Sequence, residues 1–370
     1  MKKIYFFSCF LFLLMFLVAC SNGDSSKSNG SQQQDEQEKV NENSKTDSST
    51  STSNEEYVLK LAHGFPTGAF HHTFMEWFAE DVHNRSDGRL TIDIFPSGQL
   101  MPPDQEVPAI LQGQIDMSHS SSPVLAGFDP IWNVYELPFI FDYDPKDPGV
   151  FLENRIKFNN TENGGQKIAE LMEEEGLKVI SLGFTDMFGS VFTTSVDNLV
   201  TGPESAEGLK LRTPGGMIGP ETAKAIGASS TTIAGSEVVT ALQQNVVDGL
   251  LTTPLYAYDA KLPIKSFSVV PLFNSVTPVI MSLEKFESLP KELQDVLVKS
   301  GTALEQYAKE KVNKRALEVY SSMEEEGVEV YYPSEEEIQA WNEATQPARE
   351  LFKKEVEGGS ELLETLESIK

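Results

Sequence analysis

The stretch that most limits how this chain can fold runs from Gly208 to Pro254. It opens on a short apolar strand, Leu209-Lys210-Leu211, which delivers a cation, Arg212, into the loop Thr213-Pro214-Gly215-Gly216. Proline fixes its own φ, and glycines let backbone approach closely. A helix is expected from Pro220 to Gly227, since proline suits a first turn and glycine a stop. Ser236 offers an N-cap to a second helix carrying Val238, Val239 and Leu242, followed by a strand through Val246-Val247 and a turn at Asp248-Gly249. Alternating strands and helices of this kind make an α/β unit with a guanidinium at its open end. A guanidinium matches a carboxylate at two points. From spacing alone, a ligand carboxylate and a structural salt bridge are equally good partners for Arg212.

The remainder follows the same alternation. Val58 to Phe65 reads as a buried first strand ending in a loop. His71 to Asn84 is a helix, Leu90 to Phe95 a strand, Asp104 to Gln112 a helix and Ile115 to Met117 a strand. Such an order argues for a mostly parallel sheet with helices on its faces. Ile110-Leu111-Gln112-Gly113-Gln114-Ile115-Asp116 echoes Ala241-Leu242-Gln243-Gln244-Asn245-Val246-Val247-Asp248, which suggests two lobes on one plan. The proline- and aromatic-rich run Asp129 to Phe141 reads as a rigid loop packed into the core. Gln166 to Glu175 is a helix and Leu177 to Phe184 a strand, with further strands expected over Val269–Val276 and Val279–Ser282. Pro290 to Glu326 is helical, with a possible break near Gly301 and enough length to brace two lobes. Val328 to Tyr332 is a strand. Ser334 and Glu337 form a capping box, and the last helices break at Gly358-Gly359.

The 370 residues suffice for two domains. Met1-Lys2-Lys3 precedes an apolar run from Ile4 to Ala19, too short for a confident membrane span and suited to a signal peptide over 1–19. Leu17-Val18-Ala19-Cys20 looks like a lipobox, in which Cys20 becomes the lipidated first residue; an uncleaved anchor helix is the alternative. Cys9 lies in the removed segment, so no disulfide is expected in the mature chain. Residues 20–56 are polar and cannot bury enough surface to fold, and so read as a flexible tether with a span of roughly 30 Å. A formal net charge of −27 argues against nucleic acid and anionic lipid as partners, without excluding one small anion at a local cationic site.

From Leu59 to about Phe352 the chain resembles the substrate-binding proteins of tripartite ATP-independent periplasmic (TRAP) transporters. Ala62-His63, Phe95-Pro96-Ser97-Gly98-Gln99-Leu100 and Glu136-Leu137-Pro138-Phe139-Ile140-Phe141 carry the likeness. So do Gly208-Leu209-Lys210-Leu211-Arg212-Thr213-Pro214, Ser236-Glu237-Val238 and Val246-Val247-Asp248-Gly249. The resemblance implies a two-lobed, periplasmic-binding-protein-like α/β clamp spanned by a long helix, with lobe I over 57–188 plus 275–320 and lobe II over 189–274 plus 321–370. It implies an extracytoplasmic, lipid-anchored protein that captures an organic acid and delivers it to TRAP membrane subunits, with no cofactor and no resident metal. Arg212 takes the role of carboxylate partner; His63, Asp104, Ser121, Phe188, Gly216, Thr252 and Thr253 are the other expected substrate contacts.

The chain departs from the family near Val191, where many members have a second arginine. Gly235 stands where many have an aromatic ring, and Leu250-Leu251-Thr252-Thr253 where many have Gln-Glu-Asn. These departures point to a monocarboxylate with an apolar or hydroxylated body rather than a small dicarboxylate. No Ser-His-Asp or Cys-His set argues for an enzyme, and His71-His72, adjacent on one helix, make a poor chelate for a metal. The binding protein of an ATP-driven importer and a ligand-sensing lipoprotein are the alternative readings.

Overall fold

The computed structural model describes residues 55–184 and 186–369. The expected signal segment, Cys20 and nearly all of the tether lie outside the described residues.

Two βαβαβ units carry the fold. In the first, β1 (Tyr57–Ala62), α1 (Phe70–Arg85), β2 (Leu90–Phe95), α2 (Glu106–Leu111) and β3 (Met117–His119) place β1 between its two parallel partners. In the second, β6 (Lys210–Thr213), α6 (Ile218–Ala225), β7 (Ser229–Thr232), α7 (Val238–Gln243) and β8 (Gly249–Thr252) place β6 in the same central position. The echo between residues 110–116 and 241–248 marks this repeat. Asp116 accepts from the Lys60 backbone N–H at 2.8 Å, and Asp248 from that of Lys210 at 2.8 Å. Gly113 and Asn245 both take a left-handed conformation at the intervening turn, with φ of 70° and 54°. Each aspartate thus pins the strand it introduces to the central strand of its unit.

The two sheets are completed by exchange. The first has the order β2-β1-β3-β10-β4, with β4 at Leu177–Phe184 and β10 at Thr277–Ser282. The second is β11-β9-β5-β8-β6-β7, with β5 at Ser190–Thr193, β9 at Ser266–Ser268 and β11 at Glu329–Tyr331. The chain leaves the first sheet after β4, enters the second at β5 and returns at β10. Both inserted strands run antiparallel to their neighbours, so the sheets are mixed. The expected strand at Val269–Val276 is instead the irregular crossing between β9 and β10, where Pro271 withholds a backbone donor. Likewise the strand placed at Val246-Val247 begins at Gly249, and Ser236 falls inside a 3-10 turn (Gly235–Glu237) rather than capping a helix.

Helix α5 (Lys167–Glu174) covers β4 of the first sheet, α4 (Pro148–Asn159) precedes it, and the expected apolar loop forms a 3-10 turn over Pro130–Glu136 with Trp132 and Tyr135 in the core. Helix α10 (Lys291–Glu325) runs 35 residues without a break, about 52 Å at 1.5 Å per residue. It touches β4 and α1 on one side of the molecule and α8 (Pro254–Asp259) and β11 on the other. Gly301 does not interrupt it: a Cβ there would sit inside contact distance of the Ile180 carbonyl oxygen on β4, so glycine allows the helix to lie directly on the strand. Ser334 and Glu337 make the expected capping box of α11 (Glu335–Glu355), with N–H to side-chain oxygen distances of 3.3 and 2.7 Å. The last helix, α12 (Gly359–Ile369), packs against α4 and the 3-10 turn as well as α11, so the end of the segment assigned to lobe II rests on elements of the first sheet.

Replacing Gly301 by Ala is expected to destabilise the protein by about 1–3 kcal/mol, the usual cost of overpacking, read as a lower urea midpoint at unchanged slope.

Candidate functional site

The carboxyl ends of β1, β3, β6, β7 and β8 converge on a cavity of about 440 Å³ between the two sheets. Open α/β sheets place ligands in such crevices because the loops there are free to vary. Among the expected contacts, Arg212, Asp104, Ser121, Gly216, Thr252 and Thr253 line it. His63 and Phe188 do not.

Arg212 is the penultimate residue of β6 and is 5% exposed. Its Nε donates to the Ile233 carbonyl at 2.9 Å, which orients the guanidinium across the cavity wall. No carboxylate among the described residues forms an ion pair with it, and burial pushes its pKa down to about 10, with Tyr256 nearby opposing the shift. A cation withdrawn from water without a protein anion is costly. The structural salt bridge that spacing left open is therefore absent, and the remaining NH groups are available to an incoming anion.

The glycines after Arg212 serve a close approach between the halves of the molecule. Gly216 has φ 66°, and a Cβ there would lie 2.7 and 3.0 Å from the carboxyl oxygens of Glu136 and 2.8 Å from Asn133 Oδ1. Asn133 Oδ1 also accepts from the Met217 N–H at 3.0 Å. Gly216 thus lines the cavity with backbone only. Glu136 is fully buried, neither oxygen has a hydrogen-bond partner among the described residues, and desolvation holds its pKa well above the usual carboxylate range.

Histidines build the opposite wall. His71 and His119 line the cavity with Nδ1 and Nε2 3.3 Å apart, and His71 stacks on Phe65 at 3.8 Å between ring centres and on Phe70 at 4.1 Å. His63 lies one layer beneath. Its backbone is tied to Phe95 and Gly98, its Nδ1 accepts from the Phe65 N–H at 3.2 Å, and its Nε2 faces His72 Nδ1 at 3.2 Å. An accepting Nδ1 puts the proton on Nε2, so His63 donates to His72, whose own Nε2 faces Glu76 at 3.5 Å. Burial first, then neighbouring imidazoles, lowers His63 to about 4 and His119 to about 3, and drives His71 well below its ordinary value. At neutral pH these rings are uncharged hydrogen-bonding groups. They form pairs, and no group of three or more candidate ligands among the described residues is arranged to hold a metal ion.

Phe188 is 1% exposed and packs edge-on to Tyr143 and Phe151 at 5.0 and 5.8 Å, a core position beside the crossing from β4 to β5. The residue that reasoning from sequence missed is Tyr256 on α8. Its hydroxyl lies 3.7 Å from where a Cβ on Gly235 would stand, so Tyr256 supplies a ring where Gly235 has none. The buried Asp186 carboxylate accepts from the N–H groups of Leu255 and Tyr256 and so fixes this short helix. Nothing local in the sequence ties Asp186 to Tyr256; the link appears only once α8 folds back on the crossing.

Glu136 makes stability depend on pH. Its raised folded pKa means that above the unfolded value, near 4.5, the unfolded chain releases a proton that the native chain keeps. Stability therefore falls as pH rises until the folded pKa is passed. Glu136→Gln is expected to match the parent near pH 4.5 and then gain on it by up to about 1.4 kcal/mol per pH unit before levelling off, measured by urea unfolding across pH.

A family model described as bacterial extracellular solute-binding protein, family 7, matches residues 61–355. The 2,3-diketo-L-gulonate-binding periplasmic protein of Escherichia coli is 26% identical over 309 residues, 80% of this chain and 88% of that protein. The C4-dicarboxylate-binding periplasmic protein of Rhodobacter capsulatus is 26% identical over 284 residues, 74% and 79% of the two chains. Among solved structures, a TRAP periplasmic solute-binding protein of Haemophilus influenzae with bound L-gulonate superposes with a TM-score of 0.75 at 24% identity, covering 85% of this chain and 99% of that one. One from a Polaromonas species with D-erythronate gives 0.76 at 22%, covering 85% and 99%. The two-lobed α/β architecture expected from sequence is the fold of these proteins, and the chain belongs to family 7 of the bacterial extracellular solute-binding proteins.

Proposed function

We propose that the protein is the extracytoplasmic binding component of a TRAP transporter, which takes up an organic acid by its carboxylate at Arg212 and delivers it to the membrane subunits. The observation that carries this reading is the buried guanidinium, aimed into a cavity and lacking a carboxylate partner among the described residues. Carboxylates are what L-gulonate and D-erythronate, held by the neighbouring structures, have in common. Val191, buried in β5, brings no second cation to the wall, which fits a ligand gripped by one carboxylate. The protein binds and does not catalyse.

In this reading the two sheets with their helices are lobes I and II, joined by the crossings after β4 and before β10 and braced by α10. Both lobes contribute to the cavity. A ligand that touches both favours the closed arrangement by its differential affinity, and loss of cleft water strengthens the ion pair. The polar segment 20–56 tethers this body to a lipid on Cys20 at the outer face of the membrane.

Arg212→Ala is expected to weaken binding of the ligand by about 2–5 kcal/mol, thirty-fold or more, in isothermal titration with the acid identified by mass spectrometry of the co-purifying ligand. Unchanged affinity would sink the reading. Cys20→Ser is expected to remove the acyl mass from the mature protein and release it from the membrane fraction.

A further inference from the structure

Among its described residues the cavity wall carries one guanidinium and one carboxyl side chain: Arg212 at the end of β6 and Asp104 in the 3-10 turn (Pro103–Gln105) that leads into α2. They form no ion pair with each other, though both line the same cavity. Hydroxyls fill much of the intervening wall, including Ser120, Ser121, Thr252 and Thr253, alongside the uncharged imidazoles of His71 and His119.

Asp104 is exposed, but its backbone is constrained. Pro102 and Pro103 fix the backbone before it, and the Pro103 ring lies against Gly64, where any Cβ would overlap it. Its carboxylate accepts one hydrogen bond, from Gln105 Nε2 at 3.2 Å, and is otherwise open to the cavity mouth. Glu106, the next residue but one, is buried against Ser120; burial above all, opposed by the Ser120 hydrogen bond and aided by Asp104, raises its pKa well above the usual carboxylate range. The fixed negative charge on this side of the cavity thus belongs to Asp104.

Building on the reading that Arg212 takes a carboxylate, we infer that Asp104 sets specificity at the other end of the ligand: it admits a hydroxylated monocarboxylate and turns away the corresponding dicarboxylate. An ionised carboxylate only accepts hydrogen bonds. A terminal hydroxyl satisfies it, whereas a second carboxylate meets a like charge as water leaves the closing cleft, where screening is weakest.

Matched pairs that differ only in oxidation of the terminal CH2OH test this: D-gluconate against D-glucarate, D-galactonate against galactarate, and D-erythronate against meso-tartrate. Isothermal titration at neutral pH would use the full mature chain, Asp104→Asn and Arg212→Ala. The parent is expected to prefer the monoacid in at least one pair by about tenfold or more, the scale of an unpaired like-charge contact. Asp104→Asn is expected to narrow that gap chiefly by tightening the diacid, at modest loss of the monoacid, since the amide oxygen still accepts from the hydroxyl. A parent that favours the diacids, an Asn variant with an unchanged ratio, or no binding of any monoacid at millimolar concentration would each overturn the inference. Arg212→Ala separates the two levels: retained binding there refutes the carboxylate site itself, whatever the ratio at Asp104 does.

Discussion

A guanidinium taken out of water and given no protein anion is an unusual thing for a fold to keep. Such a charge costs several kcal/mol unless something compensates it. Here the compensation inside the chain is small, one carbonyl oxygen from Ile233 and the nearby Tyr256 ring. The surrounding architecture is what makes the arrangement tolerable. The strand holds the side chain in place, the glycines after it let the opposite half come within contact distance, and the cavity leaves a volume that an anion can fill. In the proposed function, an anion bound there offsets a desolvation cost that the fold itself imposes on Arg212.

The neutral wall opposite complements this. Three buried imidazoles have no charge to set against Arg212 at neutral pH, and they are held as donors and acceptors by stacking on Phe65 and Phe70 and by the His63–His72 link. The result is a polarised cavity, cationic at the β6 end, uncharged in the middle and anionic at the Asp104 turn. Under the proposed function, such an arrangement would orient a bound acid with its carboxylate toward β6.

Much of this was legible in the sequence because its causes are local. The period-two pattern of Leu90–Phe95, the capping box at Ser334 and the Gly358-Gly359 break each follow from a few neighbouring residues, and the structure places them as expected. Arg212 was visible because a strand, a cation and a Pro-Gly-Gly loop sit side by side. What was not legible is non-local. His63 was expected in the cavity and lies beneath it because β1 ends at Ala62 and the chain turns under Phe65. Phe188 was expected there and belongs to the core, since the crossing folds it against Tyr143. Tyr256 was missed because its place depends on Asp186, 70 residues away. The supposed strand at Val269–Val276 has the right composition but holds Pro271 and must pass between sheets.

The exchange of β5 and β10 has a bearing on how such a chain is made. The first sheet cannot close when its own unit is complete, because the strand that joins β3 to β4 is supplied only after the whole second unit has been built. Contacts so distant along the chain slow folding and leave edges open meanwhile. The first sheet therefore completes only once Thr277–Ser282 is present to bridge β3 and β4, and its last pairings join segments more than ninety residues apart.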